Sequence, residues 1–524
     1  MFTILVADSI SEEGLQPLLE MENADIIQKK TDDPDVPLEE VDALLVRSAT
    51  KVTEELLSKL PRLRIIARAG VGVDNIDIDA ATKKGIVVVN APDGNTISTA
   101  EHTFAMMASL LRNIPQAHQT VKNLEWKRNA FIGTELYGKT LGIIGMGRIG
   151  SELAKRSKAF GMTIKVFDPF LTKDRAIKLG VESSSLDDVL EYADIITVHT
   201  PLTNETKGLI NESTLSKTKK GVFFLNCARG GIIDEQALAK FIGSGHVAGA
   251  ALDVFESEPP GENPLLKFDN VIVTPHLAAS TKEAQLNVAT QVAREVRYFL
   301  EDKPVSNSIN LPTISKDIFE KIRPFHQISK QLGTILSQSM KEGIQELSIT
   351  YSGSVTELET TYLTKAMLAG FFKNRIAVNV NEVNAMLTAK ERGITVGEKI
   401  SADSFGYANC ITVTAKGELQ SFTVRGTYIE DYGPRIVYLN GFNIDFLPEG
   451  NLLYVQHMDR PGVIGRVGKI LGDHSINIAT MQVGRKQAGG EAIMVLSTDK
   501  STEDHSLELV KQLDDIVSIN RIIL

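Results

Sequence analysis

The chain has 524 residues, 43% hydrophobic and 23% charged, the balance of a globular protein of about three or four domains. Its formal net charge of -10 argues against a nucleic-acid-binding face, which would be basic. With only Cys227 and Cys410 there is no disulfide framework and no paired-cysteine zinc site, no apolar run reaches the ~20 residues that span a bilayer, and Met1–Asp8 lacks the basic segment of a signal peptide, so a cytoplasmic protein that needs no metal is the expectation.

The first hundred residues predict short buried strands at Thr3–Ala7, Ala43–Val46, Leu63–Ala67 and Ile86–Val89, with a helix over Ser11–Leu19 capped by Ser11. Apolar strands alternating with helices indicate a parallel sheet covered on both faces. After a helix rich in Ala, Met and Leu at Glu101–Leu111, a second series follows: Thr140–Ile144, Thr163–Phe167, Ile195–Val198, Val222–Asn226, Ala248–Leu252 and Val271–Val273. These strands, with their intervening helices, form a doubly wound sheet of the dinucleotide-binding kind. Thr281–Leu300 is a long amphipathic helix ended by Pro304, and a linker runs from Asn307 to Thr313. The pattern then changes to mixed α and β, with a helix over Phe319–Ser339 and strands at Ser421–Tyr428 and Arg435–Leu439. The last stretch reads Leu452–His457, Gly462–Asp473, Ile478–Gly484, Ala492–Ser497, Ser506–Leu513 and Val517–Ile523, the βαββαβ order of a ferredoxin-like unit.

The strand Leu141–Ile144 runs into Gly145-Met146-Gly147-Arg148-Ile149-Gly150 and then a helix. In that context Gly145 makes the tight turn, Gly147 lets the backbone approach a pyrophosphate, and Gly150 permits close helix–strand packing. The helix N-terminus adds free amides and a partial positive charge. Asp168 ends the next strand, near the roughly 20-residue spacing of a ribose-binding carboxylate, which favours NAD over NADP.

Oxidising a 2-hydroxy acid requires a base for the hydroxyl proton, a cation for the carboxylate and a hydride acceptor at C2. Three residues fit: Arg229 in Asn226-Cys227-Ala228-Arg229-Gly230-Gly231, a glutamate (Glu256 or Glu258) in Asp253-Val254-Phe255-Glu256-Ser257-Glu258-Pro259, and His276 in Thr274-Pro275-His276. All lie at or beyond carboxyl ends of strands, the ligand-binding edge of an open α/β sheet. Singly, each has a bland reading as a loop, core or surface residue.

The glycine turn, these three segments and Arg68-Ala69-Gly70-Val71-Gly72-Val73-Asp74-Asn75 resemble the D-2-hydroxyacid dehydrogenase family over roughly the first 310 residues. The resemblance implies that His276 is the acid–base group, Glu258 its partner (in that family the catalytic Glu precedes Pro) and Arg229 the substrate clamp. It places Val71, Arg148, Ile149, Thr200, Cys227, Ala228, Asp253 and Ala279, with Arg229 and His276, around NAD. Arg47, Ser48, Arg68, Gly70 and Asn95 then contact substrate. It also returns the long helix to the first domain. Residues 1–98 with 283–310 would form a flavodoxin-like, discontinuous substrate domain, and 99–282 a Rossmann-type NAD domain.

The rest of the chain resembles the long-form branch of that family, whose members oxidise 3-phosphoglycerate to 3-phosphohydroxypyruvate at the start of serine synthesis. In that branch 313–448 is an α+β intervening domain and 449–524 an ACT regulatory domain. By the same resemblance His457, Asp459 and Asn477 would bind L-serine between paired ACT domains, and the protein would be a homodimer or homotetramer. Lys341, Lys365, Lys373 and Arg375 read as a solvated charged face, with an anionic effector site as the alternative. A glyoxylate or hydroxypyruvate reductase is the competing enzyme reading, and a non-catalytic NAD-sensing scaffold the competing class.

Overall fold

The computed structural model describes residues 1–312, 316–340, 342–373, 375–376 and 379–524. The first sheet has five parallel strands in the order Ala24–Gln28, Phe2–Val6, Val41–Val46, Ile65–Arg68, Val87–Asn90, the flavodoxin-like order. Val41–Val46 and Val87–Asn90 are buried along their whole length because elements cover both faces. One cover comes from far along the chain. Val288, Val292, Ala293, Val296 and Leu300 of helix Lys282–Leu300 share a core with Ile4, Val6, Leu45, Ile65 and Val89.

Two details of this domain differ from the sequence expectation. Ala24–Gln28 is an additional edge strand; Asp25 and Gln28 are exposed, so it carries no apolar run. Ser11 caps nothing: a 3-10 turn at Glu13–Leu15 leads into the short helix Gln16–Leu19, with no side-chain cap on either. Pro17 stands in the first turn, where its missing N–H is tolerated. Gly14 lies so close to the long helix that a Cβ there would sit 2.3 Å from Ala289.

The second sheet has seven strands in the order Val271–Val273, Val247–Leu252, Val222–Asn226, Ile195–Val198, Thr140–Ile144, Thr163–Phe167, Glu182–Ser183, all parallel. This is the doubly wound dinucleotide-binding order with one further strand. The strand missing from the sequence reading, Glu182–Ser183, has two exposed residues at the edge. The strand order reverses between Thr140–Ile144 and Ile195–Val198, and the glycine turn sits at that crevice. Two helices cross between the sheets: Thr96–Leu111, which starts earlier than its apolar run, and Lys282–Leu300. Ser98 Oγ and Thr281 Oγ1, 2.7 Å apart, tie the two crossings together.

The third sheet is mixed, in the order Thr395–Ser401, Ile344–Gly353, Asn409–Gly417, Ser421–Ile429, Gly433–Leu439, Phe442–Phe446. Its first pair is parallel and the rest antiparallel. Helices Lys316–Ser339 and Thr360–Phe372 cover it. The fourth sheet is antiparallel, in the ferredoxin-like order Ile478–Arg485, Glu491–Thr498, Asn451–Met458, Ile516–Ile523. Leu453, Val455, Met494 and Leu496 face its own helices, Val463–Asp473 and Asp504–Lys511. On the opposite face, Leu452, Tyr454, Ile493, Val495 and Ile522 join the core of the third sheet's domain. The period-2 alternation of strand side chains therefore glues the last two domains together.

The segment after the long helix is tied back into the first sheet, and the carboxyl-terminal half is fastened there through Asn381 and Asn384. Ser308 bridges Val89, and Ile309 N donates to Val88 O at 2.8 Å. Asn310 takes Val88 N and donates to Ile86 O and Thr82 Oγ1. From the other side, Asn381 Nδ2 donates to Gly85 O and Asn384 Nδ2 to Lys83 O. Among the described residues no helix is long and apolar enough to cross a membrane, and no cluster of His, Cys, Asp and Glu is suited to a metal ion.

Candidate active site

A cleft of about 760 Å³ opens between the first two sheets. Arg47, Ser48, Arg68, Gly70, Val71 and Asn95 line it from one side and Arg229, Glu258, His276 and Ala279 from the other. Residues far apart in the chain thus meet because each follows a strand of a parallel sheet, and the two carboxyl edges face one another.

His276 Nδ1 lies 2.8 Å from Glu258 Oε2, and Phe255 N donates to Glu258 Oε1 at 3.2 Å. Glu256, the alternative glutamate, instead uses its amide on Glu235. The pair fixes the imidazole by Nδ1, and among the described residues no hydrogen bond occupies Nε2. His276 has φ +55, the left-handed region that non-glycine residues seldom occupy. Arg229 donates from Nε to Asp74 Oδ2 at 3.1 Å and from Nη1 to Ala228 O at 2.7 Å. Gly72 makes room for it, since a Cβ there would lie 1.9 Å from Arg229 Nη2.

Across the cleft, Arg68 is largely buried and its Nε has no partner among the described residues; Asn95 Oδ1 is likewise buried and unpartnered among them. Burial first, and the Arg229 charge second, push Arg68 down to about 10, with Asp74 opposing them and Arg47 adding to them. Three guanidinium groups gathered with unused hydrogen-bonding capacity make a receptor for a small anion. Gly70 leaves room for the guanidinium in this position, since a Cβ would fall 1.7 Å from Arg68 Nη1.

Sequence reasoning missed the residues that hold these groups. Asp8 accepts from Arg47 N, Thr50 N and Thr50 Oγ1, and Asn75 Nδ2 donates to Arg47 O and Thr50 O, which together shape the loop at 47–50. Asn90 Nδ2 donates to Val71 O at 2.6 Å and steadies the 70–72 loop. Asn90 ends a strand and Asp8 lies two residues past one, and that position was the available signal; Asp74 and Asn75 fell inside the Arg68–Asn75 segment but were given no role of their own.

The glycine turn lies beside the cleft. Gly145 has φ +99, and a Cβ there would sit 2.6 Å from His199 O; one on Gly150 would sit 2.3 Å from Gly145 O. Around Gly147 no protein atom lies within 4 Å of a built Cβ, so the backbone is open to a ligand. Helix Arg148–Ala159 begins there with no side-chain cap, and Ile149 is half-buried in its first turn. Thr200 Oγ1 and His199 Nδ1 are buried without partners on the adjoining strand end. An open glycine backbone, free helix amides and unused buried donors fit a dinucleotide. Asp168 already accepts from Met146 N at 2.6 Å and Phe170 N at 2.8 Å, so it also ties the turn to the neighbouring strand. Arg148 pairs with Asp93. Burial holds His199 at about 4, hence neutral, and pushes the Cys227 thiol up to about 12, hence inert. Asp253 is fully buried, and its carboxylate is taken up by neighbouring donors rather than presented to the cleft.

The expected effector residues do not meet within one chain. His457 is buried, with Nδ1 donating to Met458 O and Nε2 unpartnered. Asp459 accepts from Arg485 and Gly489 N. Asn477 Nδ2 donates to Asp499 at the other end of the sheet. Since His457 pairs with Ala492 and Ile478 with Thr498, about 20 Å of strand separates them. In the intervening domain Lys365 is half-buried and Lys373 exposed, while Lys341 lies outside the described residues. Arg375 is no solvated charge: it donates to the Met340 and Glu342 carbonyls and stacks 4.8 Å from the Phe371 ring centroid.

Comparison with known proteins agrees with this architecture. Residues 104–278 match the model of the D-isomer specific 2-hydroxyacid dehydrogenase NAD binding domain, 321–440 the D-3-phosphoglycerate dehydrogenase intervening domain, and 452–515 the ACT domain. The D-3-phosphoglycerate dehydrogenase of Bacillus subtilis (strain 168) is 60% identical over 522 residues, covering 100% of this chain and 99% of the relative. That of Methanocaldococcus jannaschii is 42% identical, covering 99% of each. A crystal structure of D-lactate dehydrogenase from Aquifex aeolicus, complexed with NAD and lactic acid, is 33% identical with a TM-score of 0.52, covering 59% of this chain and 100% of that one. The chain belongs to the D-3-phosphoglycerate dehydrogenase family, the branch of the D-2-hydroxyacid dehydrogenases that carries an intervening domain and an ACT domain.

Proposed function

We propose that this NAD-dependent oxidoreductase oxidises 3-phospho-D-glycerate to 3-phosphohydroxypyruvate, with His276 as the acid–base group, Glu258 as its partner and Arg229 as the carboxylate clamp. The observation that carries the assignment of roles is the 2.8 Å His276–Glu258 pair facing Arg47, Arg68 and Arg229 across one cleft. His276 Nε2 takes the C2 hydroxyl proton, and Glu258 stabilises the imidazolium that results. Arg229 turns the substrate carboxylate so that C2 faces the cofactor side, and gives up Asp74 to do so. Arg47, Ser48, Arg68, Gly70 and Asn95 receive the phosphate end, whose charge of about -2 matches the surplus of guanidinium. Gly145–Gly150 and Asp168 would hold NAD, which when bound would supply the acceptor for the hydride leaving C2. Three arginines exceed what an unphosphorylated hydroxy acid requires, which favours this substrate over glyoxylate or hydroxypyruvate.

A division into 1–98 with 283–310, 99–282, 313–448 and 449–524 is supported by the presence of four separate sheets. L-serine is the effector we assign to the ACT domain. The separation of His457 and Asp459 from Asn477 supports a site completed by a second chain. A homodimer or homotetramer is also supported by exposed Leu124, Trp126, Ile132 and Tyr137, a run of large apolar side chains on the NAD domain. A cytoplasmic site of action is supported by two buried free cysteines.

Turnover of 3-phosphoglycerate compared with D-glycerate, followed by NADH absorbance, tests the substrate. Equal efficiency on both would overturn it. His276→Ala should lower kcat by roughly 100-fold or more. Titration calorimetry with L-serine tests the effector; absence of both binding heat and inhibition would remove it.

A further inference from the structure

We propose that His102 is a positioning residue for hydride transfer: from the crossover helix Thr96–Leu111 it holds Asp253, and through Asp253 the turn that displays His276. The proposal rests on the assignment of His276 as the acid–base group.

Asp253 follows strand Val247–Leu252 and has no exposed surface. Its carboxylate accepts from Thr274 Oγ1 at 2.6 Å, Leu277 N at 2.7 Å and Ala278 N at 2.9 Å. Its main-chain carbonyl accepts from His276 N at 2.9 Å. These bonds fold residues 274–278 into one turn, with His276 held at φ +55. A side chain in that region stays there only where its surroundings over-determine it. Asp253 is the part of those surroundings that grips both sides of His276.

A fully buried carboxylate needs donors, and preferably a charge partner. The groups facing it among the described residues are Thr274, the Leu277 and Ala278 amides, the Cys227 thiol and His102. Of these only His102 can carry positive charge. Its Nε2 lies 3.3 Å from Asp253 Oδ1 and 3.2 Å from Thr274 Oγ1. Because the Thr274 hydroxyl proton goes to Asp253, its oxygen is free to accept from His102 Nε2–H. The result is a chain of donors running from His102 through Thr274 to Asp253. Burial alone would push the Asp253 carboxyl up; the bonds from His102, Thr274, Leu277 and Ala278 outweigh it and hold the group ionised.

His102 thus links the crossover helix to the wall that carries the acid–base group. That wall also includes Ala278, and Cys227 just past the end of the neighbouring strand. Loss of the His102 donor should loosen this wall while leaving Arg47, Arg68 and Arg229 as they are.

The test compares full-length His102→Leu with His102→Gln, which keeps an N–H donor. In the Leu variant we expect roughly tenfold weaker NADH binding by fluorescence titration and a kcat lower by a similar factor, the size of effect that loss of one hydrogen bond to a buried carboxylate produces. The KM for 3-phosphoglycerate should stay within about twofold, and the Gln variant should recover most of both losses. If the Leu variant does not fold, His102→Asn replaces it, since its shorter side chain cannot reach Asp253. Leu (or Asn) and Gln variants that behave alike would overturn the proposal. So would a folded Leu variant with wild-type kcat and NADH affinity. His276→Ala, assayed alongside, separates the two readings. Full activity there sinks the acid–base assignment, whereas an inactive His276→Ala beside a fully active His102→Leu sinks only the role of His102.

Discussion

Arg68 presents a sharp test of whether the cleft is strained for the sake of its ligand. Its guanidinium is pushed down to about 10, first by burial and then by the Arg229 charge. From an ordinary value above about 12, at roughly 1.4 kcal/mol per tenfold change in proton affinity, holding this charge in the empty cleft costs on the order of 3 kcal/mol. At neutral pH the folded and unfolded chains both carry the proton, so the whole cost is present there. It disappears only where the pH is high enough to deprotonate the unfolded chain as well. Arg68→Met removes the charge and keeps most of the apolar stem. If about half of the relief is lost to imperfect packing, the ligand-free variant should melt roughly 1–2 °C above wild type for a chain of 524 residues unfolding as one unit. An anion reverses the comparison. With 3-phosphoglycerate the wild type should gain stability and the variant much less, and the variant's KM for that substrate should rise roughly tenfold or more, while the KM for NAD stays put. Scanning fluorimetry with and without 3-phosphoglycerate, together with steady-state kinetics, measures both. A variant that melts at or below wild type and keeps its KM would show that Arg68 is a structural residue and refute the argument.

Asp168→Ala should weaken NAD binding and narrow the preference over NADP, read from KM values for both cofactors. Because Asp168 also accepts from Met146 N and Phe170 N, the loss with NAD should exceed any gain with NADP. Gly150→Ala places a Cβ 2.3 Å from Gly145 O and should abolish NADH binding in fluorescence titrations while 3-phosphoglycerate still stabilises the protein. Glu382 in the intervening domain sits 3.0 Å from His326 Nε2; burial alone would push it up, but His326 and Lys330 bring it down to about 2. A depressed carboxyl stabilises above its unfolded value near 4.5 and loses that contribution as pH falls towards 2. Glu382→Gln should therefore flatten the acid limb of the stability curve over that window, by on the order of 3 kcal/mol, in urea titrations at stepped pH.

The strands and the glycine turn were readable because burial on both faces of a parallel sheet writes itself as apolar runs, as in Val41–Val46 and Ile195–Val198. The edge strands Ala24–Gln28 and Glu182–Ser183 escaped because an exposed edge demands no such run. Arg229 and His276 were candidates by their places after strands, while Glu258 was separated from Glu256 only by the family resemblance; the structure brings the three to one cleft. Their supports did not stand out. Asp8, Asn75 and His102 act through hydrogen bonds to segments tens to hundreds of residues away, and no local pattern encodes such a partner. The intervening domain was least legible, since its parallel pair of Ile344–Gly353 with Thr395–Ser401 joins strands that two helices separate.

The turn at Thr82–Val88 is grasped from both sides, by Asn310 and by Asn381 with Asn384. Through Asn381 and Asn384 the carboxyl-terminal modules are therefore shackled to the first sheet. Any swing of that sheet about the two crossover helices drags the ACT module along as ballast. Conversely, a restraint placed on that module would be felt first by the sheet that carries Arg47 and Arg68.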